Sequence, residues 1–552
     1  MNNSNYRHLS WLVLFLVLPA IACGIFDSSV PGEPPSNAAV VEVMANSSLS
    51  PWLETAVSEF NAAELETSEG KKAFAILNPV ESGQAVTLLV DDSIAPTLWI
   101  PDSTVWVDVL ADQGNNNYVE DCVSIAESPL VIGMWSPVAE SLGWPGLPLG
   151  WLDIGSLAAD PNAWAYYSGG DYGDSLRLSH AHPGLAASGT STLLAIVQAA
   201  QSKTSAVTTD DIAQPIVQAS VGAFESAVTS FNPDTENLGK TMSERGPEFL
   251  GAAVMYESTV VQYSNGELVA IYPLEGTFMA THPACLNKTV EPEETEAALL
   301  FRDYLLNEPA QTTALSAGLR PVNTTVPIGS PLDSANGVNP EQPEIVFEPP
   351  SVETVYAIQD LWQSARKPVN LVMLLDTSGS MRGSKIETMK EAAAQFVEQM
   401  GADDTISIVE FYTQSDLLID QAQVGPNRDK IVEIIGNMES GGETTLFDAI
   451  GDGSAVVAAS ISPESSNAMI ILTDGQDTAS SRFSFDDHLI STATANDTTI
   501  FTVAYGNDAD EDLLATLAAR GNGNFYQGDI ASIATIYEEM SAAFGGSLGV
   551  GR

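Results

Sequence analysis

The feature that most constrains the fold is an apolar run over residues 369–375 (VNLVMLL), which leads directly into a short polar loop. A continuous run of this length is typical of a strand that is buried on both faces of a parallel sheet. The loop carries one carboxylate and two hydroxyls at alternate positions, in Asp376, Ser378 and Ser380. Open α/β sheets place their ligand sites at this carboxyl end of the strands. Hard oxygen donors of this kind suit Mg²⁺, although Ser- and Gly-rich loops also serve purely as turns.

Two later segments add donors of the same type. Residues 441–448 (GGETTLFD) place a threonine hydroxyl at the start of a predicted helix. Residues 468–473 (AMIILT) predict a second buried strand, which ends at Asp474. The order Asp-x-Ser-x-Ser, then Thr, then Asp resembles the metal-ion-dependent adhesion site of von Willebrand factor A domains. The resemblance covers residues 367–543.

This resemblance implies a set of metal-binding residues. Asp376, Ser378, Ser380 and Thr444 lie around the metal in such a site, and Asp474 supports it, commonly through water. Thr444 is selected over Thr445 by alignment to the residues that follow, 446–450 (LFDAI). The implied metal is Mg²⁺, with Mn²⁺ or Ca²⁺ as alternatives.

The donor set also indicates what the site does. One directly bound carboxylate cannot neutralise a divalent cation, so the metal stays electropositive and Lewis-acidic. The resemblance implies that a Glu or Asp of a partner protein fills the remaining coordination position. A zinc site that activates water would need His or Cys ligands, which this pattern lacks. We therefore expect a docking site rather than a hydrolytic one.

The N-terminal residues resemble a bacterial lipoprotein signal. Residues 11–22 (WLVLFLVLPAIA) are apolar but too short, and too interrupted by proline, to span a bilayer comfortably, so they suit a secretory signal. Small residues precede Cys23, as in the lipobox, whose cysteine is lipidated and becomes the mature N-terminus. The alternative is an ordinary cleaved signal with an incidental cysteine. We expect a signal peptide over residues 1–23 and a tether over 24–38. The protein would then be extracytoplasmic, at the cell surface or in the periplasm, with lipid as its only membrane anchor.

Acidic residues outnumber basic ones by 72 to 20, which gives a formal net charge of −52. Because 44% of the residues are hydrophobic, this charge is not the signature of a disordered chain. A field of this sign repels phosphate backbones and anionic headgroups, so we expect no nucleic-acid partner. The acidity fits either a salty habitat or a cation-rich cell wall.

Besides Cys23 the chain contains two cysteines, Cys122 and Cys285. In an exported protein an even remainder favours one disulfide, here between segments far apart in the sequence. Two free buried thiols are the alternative.

Residues 39–322 have the strand and helix pattern of a second α/β unit. A strand over 40–45 leads into a Ser-rich loop, another strand is predicted over 86–90, and a Ser-Gly-Thr run (188–190) begins a helix. With a late Tyr-Pro-Leu-Glu-Gly turn (272–276), this order resembles the extracellular solute-binding proteins of bacterial ABC importers. The resemblance implies two lobes joined by hinge strands: lobe I over about 39–128 and 265–322, and lobe II over about 129–264.

Two such lobes enclose a ligand cleft, for which polar loop residues are the candidates. They are Ser47, Ser48, Ser82, Gln84, Ser188, Thr190, Tyr256 and Glu257. A helix that begins near Ser188 would present N–H groups and hydroxyls to an anion or a small polar solute. Simple N-capping by Ser188 or Thr190 explains the same residues equally well. Tyr256 and Glu257 fit a buried structural role as well as they fit the cleft, and a glutamate there would favour sugars, cations or peptides over an oxyanion.

The sequence thus predicts an α/β fold, with a two-lobed periplasmic-binding-protein-like module followed by a doubly wound von Willebrand factor A domain. Residues 323–366 are predicted to link the two modules. Residues 323–351 are Pro-, Asn- and Ser-rich and are predicted to be extended, whereas residues 352–362 resemble the helix that often precedes the first strand of such a domain in bacterial proteins. Residues 544–552 are predicted to form a tail. In the A domain we expect strands near 369–375, 405–411, 468–473 and 499–505, and helices near 385–400, 444–460, 485–494, 510–520 and 529–543.

Three classes of function remain. If the chain is a surface adhesion or assembly protein, EDTA and Asp376→Ala should both abolish capture of its partner. If it is the solute receptor of an ABC importer with an accessory A domain, residues 39–322 alone should bind a small ligand tightly. If it is a hydrolase, it should turn over esters or peptides. The metal chemistry favours the first class, so we expect a binding protein and no enzyme.

Overall fold

The structure is a computed structural model that describes residues 34–90, 94–228, 230–462 and 465–546. The predicted signal peptide, the predicted lipidation site Cys23, most of the tether and most of the tail lie outside the described residues. Two α/β modules follow one another along the chain, as the sequence predicts. Within the described ranges, no helix has both the length and the apolar character needed to cross a bilayer.

The N-terminal module consists of short strands and helices that alternate along the chain. Its strands are β1 (Ala39–Ala45), β2 (Ala73–Pro79), β3 (Leu98–Ile100), β4 (Cys122–Ser124), β5 (Ala126–Trp135), β6 (Leu178–Ser179), β7 (Ala252–Tyr256), β8 (Leu268–Ile271), β9 (Met279–Ala280), β10 (Pro283–Leu286) and β11 (Arg320–Pro321). Its helices are α1 (Ser50–Ala62), α2 (Ser82–Val90), α3 (Thr104–Asp112), α4 (Ser136–Ser141), α5 (Trp151–Ala159), α6 (Pro161–Ser168), α7 (Ala187–Gln201), α8 (Thr209–Ile212), α9 (Pro215–Glu225), α10 (Thr235–Arg245), α11 (Glu257–Tyr263), α12 (Pro292–Leu305) and α13 (Glu308–Ser316).

Lobe I is built on a sheet with the strand order β2-β1-β3-β10-β4. β1 pairs in parallel with β2 and β3 because α1 and α2 serve as the crossover connections. β10 returns antiparallel from much later in the chain. Cys285 of β10 lies opposite Cys122 of β4, and the two form a disulfide with an S–S distance of 2.06 Å. The disulfide therefore joins the point where the chain leaves lobe I to the point where it returns.

Lobe II is built on a second sheet, with the order β11-β5-β7-β6 and with β8 and β9 also paired to β5. The predicted lobe boundary at residue 265 differs from this arrangement. Residues 268–271 and 279–280 pair antiparallel with the long strand β5 and so belong to the sheet of lobe II. β8 and β9 lie in lobe II because they hydrogen-bond to β5, although β10, which follows them in the sequence, lies in lobe I.

The strand predicted over residues 86–90 is wrong, because these residues form the last part of helix α2. Ser82, Ala85, Val86 and Leu89 are buried, and they recur at helical spacing rather than at alternate positions. The apolar run is therefore one face of a short helix that packs on the sheet of lobe I.

The predicted linker packs against the N-terminal module instead of running free. Phe347 and Val338 are buried. The Phe347 N–H donates to the carbonyl of Thr277 at 2.8 Å, and the Ala270 N–H donates to the carbonyl of Gly337 at 2.8 Å. These backbone hydrogen bonds fasten the segment to lobe II, so its Pro-rich composition does not make it a mobile tether.

The segment ends in helix α14 (Val352–Ala365), which contacts both lobes. Towards lobe I, the hydroxyl of Tyr356 donates to Asp112 at 3.1 Å. Towards lobe II, the indole N–H of Trp362 donates to the buried carboxylate of Glu225 at 3.1 Å. Immediately after the helix, Arg366 forms a bidentate ion pair with Asp404 of the A domain, at 3.0 and 2.9 Å. α14 therefore connects both lobes to the A domain through side-chain contacts.

The A domain is a six-stranded sheet with helices on both faces. Its strands are β12 (Val369–Asp376), β13 (Thr405–Phe411), β14 (Ser415–Gln423), β15 (Ser466–Thr473), β16 (Thr499–Tyr505) and β17 (Asn522–Gly528), in the order β14-β13-β12-β15-β16-β17. Its helices are α15 (Ser384–Gln399), α16 (Val424–Gly436), α17 (Leu446–Ala459), α18 (Asp487–Ala493), α19 (Glu511–Arg520) and α20 (Ile533–Ala543). All strands except the edge strand β14 run parallel to their neighbours.

Alternate residues of β12 enter two different cores. Leu371, Met373 and Leu375 pack with α15, α16 and α20 on one face of the sheet. Val372 and Leu374 pack with α17, α18 and α19 on the other face. This double burial explains why the strand reads as a continuous apolar run, and it holds the carboxyl end of β12 in a rigid frame.

His182 lies at the junction between lobe II and the A domain. Its ring is fully buried, 4.7 Å from the Trp362 ring between centroids. Nδ1 accepts the N–H of Gly184 at 3.0 Å, so Nε2 carries the proton and donates to the carbonyl of Gly546 at 2.8 Å. Burial lowers the pKa of His182 to about 3.

We expect His182 to make the protein less stable in mild acid. Its folded-state pKa lies below its unfolded value of about 6.5, so the unfolded chain binds the proton first. The contribution of neutral His182 to the free energy of unfolding is complete above about pH 6.5 and is lost as the pH falls towards 3. At pH 5 the loss is about 2 kcal/mol. The free energies of unfolding of the wild type and of His182→Gln should therefore converge by about that amount between pH 7 and pH 5. The exposed His488→Gln serves as the control, and a difference that does not change with pH would contradict the assignment.

Candidate functional site

Two neighbouring strands bring their acidic residues to the same edge of the sheet. β12 ends at Asp376, and β15, paired beside it in parallel, ends at Thr473 just before Asp474. Asp376 is fully buried. One of its carboxylate oxygens accepts the Ser378 N–H at 2.8 Å, and the other accepts the hydroxyl of Thr473 at 2.5 Å. The carboxylate is therefore fixed by both strands.

A chain of hydrogen bonds runs from the serines to the second aspartate. The hydroxyl oxygens of Ser378 and Ser380 lie 2.9 Å apart, and the Ser380 hydroxyl donates to Asp474 Oδ1 at 2.7 Å. Asp474 Oδ2 accepts a hydrogen bond from Lys385 Nζ at 2.6 Å. The sequence reasoning did not identify Lys385, although its place at the start of the helix after the Ser-containing loop is a usable signal.

The Thr-containing loop closes the site from the other side. The Gly379 N–H donates to the carbonyl of Gly442 at 3.1 Å, which joins the two loops. A Cβ atom placed on Gly475 would lie 3.6 Å from Thr444 Oγ1 and 3.9 Å from Ser380 Oγ, so these two hydroxyls converge on one space. The neighbouring hydroxyl of Thr445 is buried and has no hydrogen-bond partner among the described residues.

The electrostatics of the site leave it short of positive charge. Burial raises the pKa of Asp376 to about 6, and the charge of Asp474 adds to this effect, whereas the hydrogen bonds from Thr473 and Ser378 oppose it. Two carboxylates, Asp376 and Asp474, face one ammonium, Lys385, which gives a formal charge of −1. A cation at this position would offset the cost of burying the carboxylate.

The donor set fits a hard divalent cation. Asp376, Ser378, Ser380 and Thr444 offer a carboxylate and hydroxyl oxygens, the ligands that Mg²⁺ prefers, while Asp474 lies one hydrogen bond further out. In the described ranges there is no group of three or more His, Cys, Asp or Glu side chains with the geometry of a metal site. The site therefore depends on serine and threonine hydroxyls and does not resemble a zinc centre.

The candidate cleft of the N-terminal module contains a buried pair of carboxylates. The side-chain amide of Asn46 donates to Glu81 Oε2 and to Asp102 Oδ2, both at 3.0 Å. The Ser47 N–H and hydroxyl donate to Glu81, and the Ser48 hydroxyl donates back to Asn46. Burial raises the pKa of Glu81, and the charge of Asp102 raises it further. Asn46, Glu81 and Asp102 were not among the residues predicted from the sequence.

Asp102 also connects the two lobes. The hydroxyl of Ser82, in lobe I, and that of Tyr256, in lobe II, both donate to its carboxylate. The predicted residues Ser47, Ser82 and Tyr256 therefore do come together, but around acidic groups of the protein itself. Of these three residues, only Ser82 has an acidic sequence neighbour, Glu81, that takes part in this group, so adjacency in the sequence is a weak signal for it.

A cavity of about 300 Å³ lies between the lobes beside Asp102 and Tyr256. Thr190 also lines it, and its hydroxyl donates to the carbonyl of Pro183 at 2.6 Å. Another part of the wall is formed by Val346, Phe347, Pro349, Pro350 and Val355 of the predicted linker. The predicted linker is thus part of the cleft between the lobes.

The remaining polar candidates lie where the lobes touch. The N–H groups of Gly83 and Gln84 donate to the carbonyl of Leu185 at 2.8 and 3.1 Å. A Cβ on Gly83 would lie 2.6 Å from the carbonyl oxygen of Gly184, so only glycine permits this close approach. Ser188 is buried, and its hydroxyl has no partner among the described residues.

Glu257 does not line the cavity, and the structure favours its buried structural role over the predicted role in ligand binding. Its carboxylate is fully buried and forms a bidentate ion pair with Arg320, with both distances 2.7 Å. The hydroxyl of Tyr272 donates to the same carboxylate. Glu257 is therefore a structural residue that ties α11 to the end of the module.

We expect Glu257→Gln to destabilise the N-terminal module by about 3 kcal/mol, because it leaves the Arg320 guanidinium buried without a counter-charge. All nine tryptophans precede residue 367, so tryptophan fluorescence in denaturant reports this module separately from the A domain. The exposed Glu267→Gln is the matched control and should change stability by less than about 0.5 kcal/mol. Equal effects of the two variants would contradict the structural role.

Two family models match the chain in succession. The model of the bacterial extracellular solute-binding protein family matches residues 41–320, about half of the chain. The model of the von Willebrand factor type A domain matches residues 370–539. These ranges coincide with the two-lobed module and the doubly wound domain described above.

Individual relatives are more distant. The uncharacterized protein sll0103 of Synechocystis is 29% identical over 162 residues, which are 29% of this chain and 37% of that protein. Inter-alpha-trypsin inhibitor heavy chain H3 of Mus musculus is 25% identical over 187 residues, or 32% of this chain and 21% of that protein. The matches thus span well under half of these relatives.

Among solved structures, the sulfate-binding protein SubI of Mycobacterium tuberculosis aligns with a TM-score of 0.39 and 15% identity, over 52% of this chain and 88% of that one. The assignment of the chain depends on the family models, which agree with the fold. The chain belongs to the bacterial extracellular solute-binding protein family, with that module fused to a von Willebrand factor A domain.

Proposed function

We propose that this protein is an extracytoplasmic binding protein whose A domain captures an acidic side chain of a partner protein through a bound divalent cation. Asp376, Ser378, Ser380 and Thr444 would hold the cation and Asp474 would support it. When bound, the cation supplies an electropositive coordination position for a partner carboxylate. Mg²⁺ suits these oxygen donors best, with Mn²⁺ or Ca²⁺ as alternatives.

The observation that carries this proposal is the charge balance of the site. Asp376 and Asp474 face Lys385, so the hydrogen-bonded network has a formal charge of −1. A divalent cation changes that charge to +1. In a chain of net charge −52, such a local positive charge attracts a carboxylate that the rest of the surface repels.

The surroundings of the site offer room for a partner segment. A groove of about 670 Å³ lies beside the loop at Gly441 and Gly442, with Tyr412, Leu418 and Met438 in its wall. A peptide whose acidic side chain occupies the metal position would thus have apolar surface available for its flanking residues.

A peptide-display selection on the full-length protein tests the proposal. A random-peptide library is bound to the immobilised protein in Mg²⁺ and eluted with EDTA. The enriched peptides should contain Glu or Asp, and replacing that residue with Gln or Asn should weaken binding by at least about tenfold. Binding that persists in EDTA, or that does not require the acidic residue, would refute the proposal.

A second candidate function is the binding of a small solute between the lobes of the N-terminal module. The cavity of about 300 Å³ beside Asp102 and Tyr256 supports it. In that case the protein would act as the receptor of an ABC importer, with the A domain as an accessory. Lipidation at Cys23 would hold either kind of protein at the membrane surface, and neither function includes a catalytic step.

A further inference from the structure

We propose that the cavity between the lobes binds a small organic cation with an apolar body, and that the positive charge lies against Asp102. This proposal rests on the solute-binding function put forward above for the N-terminal module, and it adds the chemical class of the solute. It depends on the hydrogen-bond donors at the cavity, on the charges that face it and on the composition of its walls.

The donors that would receive an oxyanion are already engaged. The hydroxyls of Ser82 and Tyr256 donate to Asp102. The side-chain amide of Asn46 donates to both Asp102 and Glu81, at 3.0 Å each. An oxyanion would have to displace the protein's own carboxylates from these donors and then lie beside two acidic groups. The arrangement therefore disfavours anionic solutes.

In the described part of the chain, the cavity is lined by an acidic side chain and by no basic one. Among the described residues that line it, Asp102 is the only ionisable acid, and there is no Lys, Arg or His. His282, whose ring lies 6.1 Å from that of Tyr256, is fully buried, and burial lowers its pKa to about 3, so it stays neutral. Burial raises the pKa of Asp102, and the side-chain hydrogen bonds from Ser82, Tyr256 and Asn46 oppose that rise. A cation beside this carboxylate would offset the cost of burying its charge. A cation is the group that this carboxylate lacks.

The walls favour an organic cation over a metal ion. Trp106, Phe278 and Phe347 are aromatic, and Leu130 and Leu194 are aliphatic. Aromatic faces attract cations and also cover apolar surface. The cavity is also lined by hydroxyl residues, which can hydrogen-bond an ammonium group: Ser103, Thr104, Thr190, Ser191 and Thr281. A space of this size with aromatic walls is larger than a metal ion needs, so it suits an ammonium group on a hydrocarbon body. The volume of about 300 Å³ is at the lower end of ligand pockets, so the solute is small.

Calorimetric titration of the full-length protein with three probes tests this assignment. The probes are phenethylamine, which is a cation at neutral pH, its neutral isostere 2-phenylethanol, and sulfate. We expect the amine to bind at least about tenfold more tightly than the alcohol and sulfate not to bind. Asp102→Asn should lower the affinity for the amine to that for the alcohol. Ser191→Phe, which fills the cavity and leaves Asp102 in place, should abolish binding of both organic probes.

The outcomes separate the charge assignment from the solute-binding function itself. If the alcohol binds as tightly as the amine, or if sulfate binds, the module binds solutes but the cation assignment is wrong. If none of the three probes binds, the assignment and the solute-binding function both fail. Selectivity for the amine that survives in Asp102→Asn would overturn the role of that carboxylate.

Discussion

Asp376→Ala is expected to abolish metal binding by the A domain, with a loss of at least about a hundredfold in affinity. Asp376 supplies the one carboxylate at the centre of the site, and it is fully buried and held by Thr473 and Ser378. Removal of even an outer supporting partner typically costs tenfold to a hundredfold in metal affinity. Mn²⁺ serves as the probe because electron paramagnetic resonance measures its free form directly. The titration needs high ionic strength, since a chain of net charge −52 attracts cations non-specifically.

Two adjacent threonines provide a matched control for this experiment. Thr444→Val removes a hydroxyl that converges with Ser380 on the space beside Gly475, so we expect Mn²⁺ affinity to fall by about tenfold. Thr445→Val removes a buried hydroxyl that lacks a partner among the described residues, so it should leave Mn²⁺ affinity unchanged and cost no stability. If the two effects are reversed, Thr445 is the ligand. If Asp376→Ala binds Mn²⁺ as the wild type does, the metal site is wrong.

The A domain could be predicted well because its central strands are buried on both faces. β12, β13, β15 and β16 are apolar throughout most of their length, and the sequence indicates each of them. The edge strands β14 and β17 were missed. β14 is largely exposed and β17 is rich in Asn and Gly, so neither has a run of buried residues. Their pairing with a neighbouring strand, rather than any local preference, makes them strands.

The N-terminal cleft was predicted only in part, for a different physical reason. Ser47, Ser82 and Tyr256 were identified from loops and a strand end, and they do converge. The carboxylates that they contact, Glu81 and Asp102, lie on separate loops and meet only when the sheet of lobe I has formed. A sequence pattern within one loop cannot show which residue of another loop will share its hydrogen bonds.

The predicted linker illustrates the opposite error, in which composition misleads. A Pro-, Asn- and Ser-rich segment suggests an extended chain, yet Val346, Phe347, Pro349 and Pro350 line the cavity between the lobes. The buried side chain of Phe347 and the hydrogen bond from its N–H to the carbonyl of Thr277 fix this part of the chain. The few apolar and aromatic residues in the segment, rather than its average composition, decide how it packs.

The double variant Cys122→Ala/Cys285→Ala is expected to lower the free energy of unfolding of the N-terminal module by about 3–5 kcal/mol. The disulfide links residues 163 positions apart and encloses nearly the whole of lobe II. A cross-link restricts the unfolded chain more strongly as the closed loop lengthens, so a loop of this size gives a loss towards the upper end of the usual range. Tryptophan fluorescence in denaturant measures the loss, because all nine tryptophans precede the A domain.

Chemical reduction separates the cross-link from the side chains. A phosphine reductant should lower the stability of the wild type to nearly that of the double variant and should leave the variant unchanged. Mn²⁺ binding should be the same in both proteins, since residues 367–543 contain no cysteine. A loss of less than about 1 kcal/mol on reduction would mean that the sheet pairing of β4 with β10 holds the lobes together without the covalent bond. In that case the unfolded chain would already be restricted by residual contacts around the hinge.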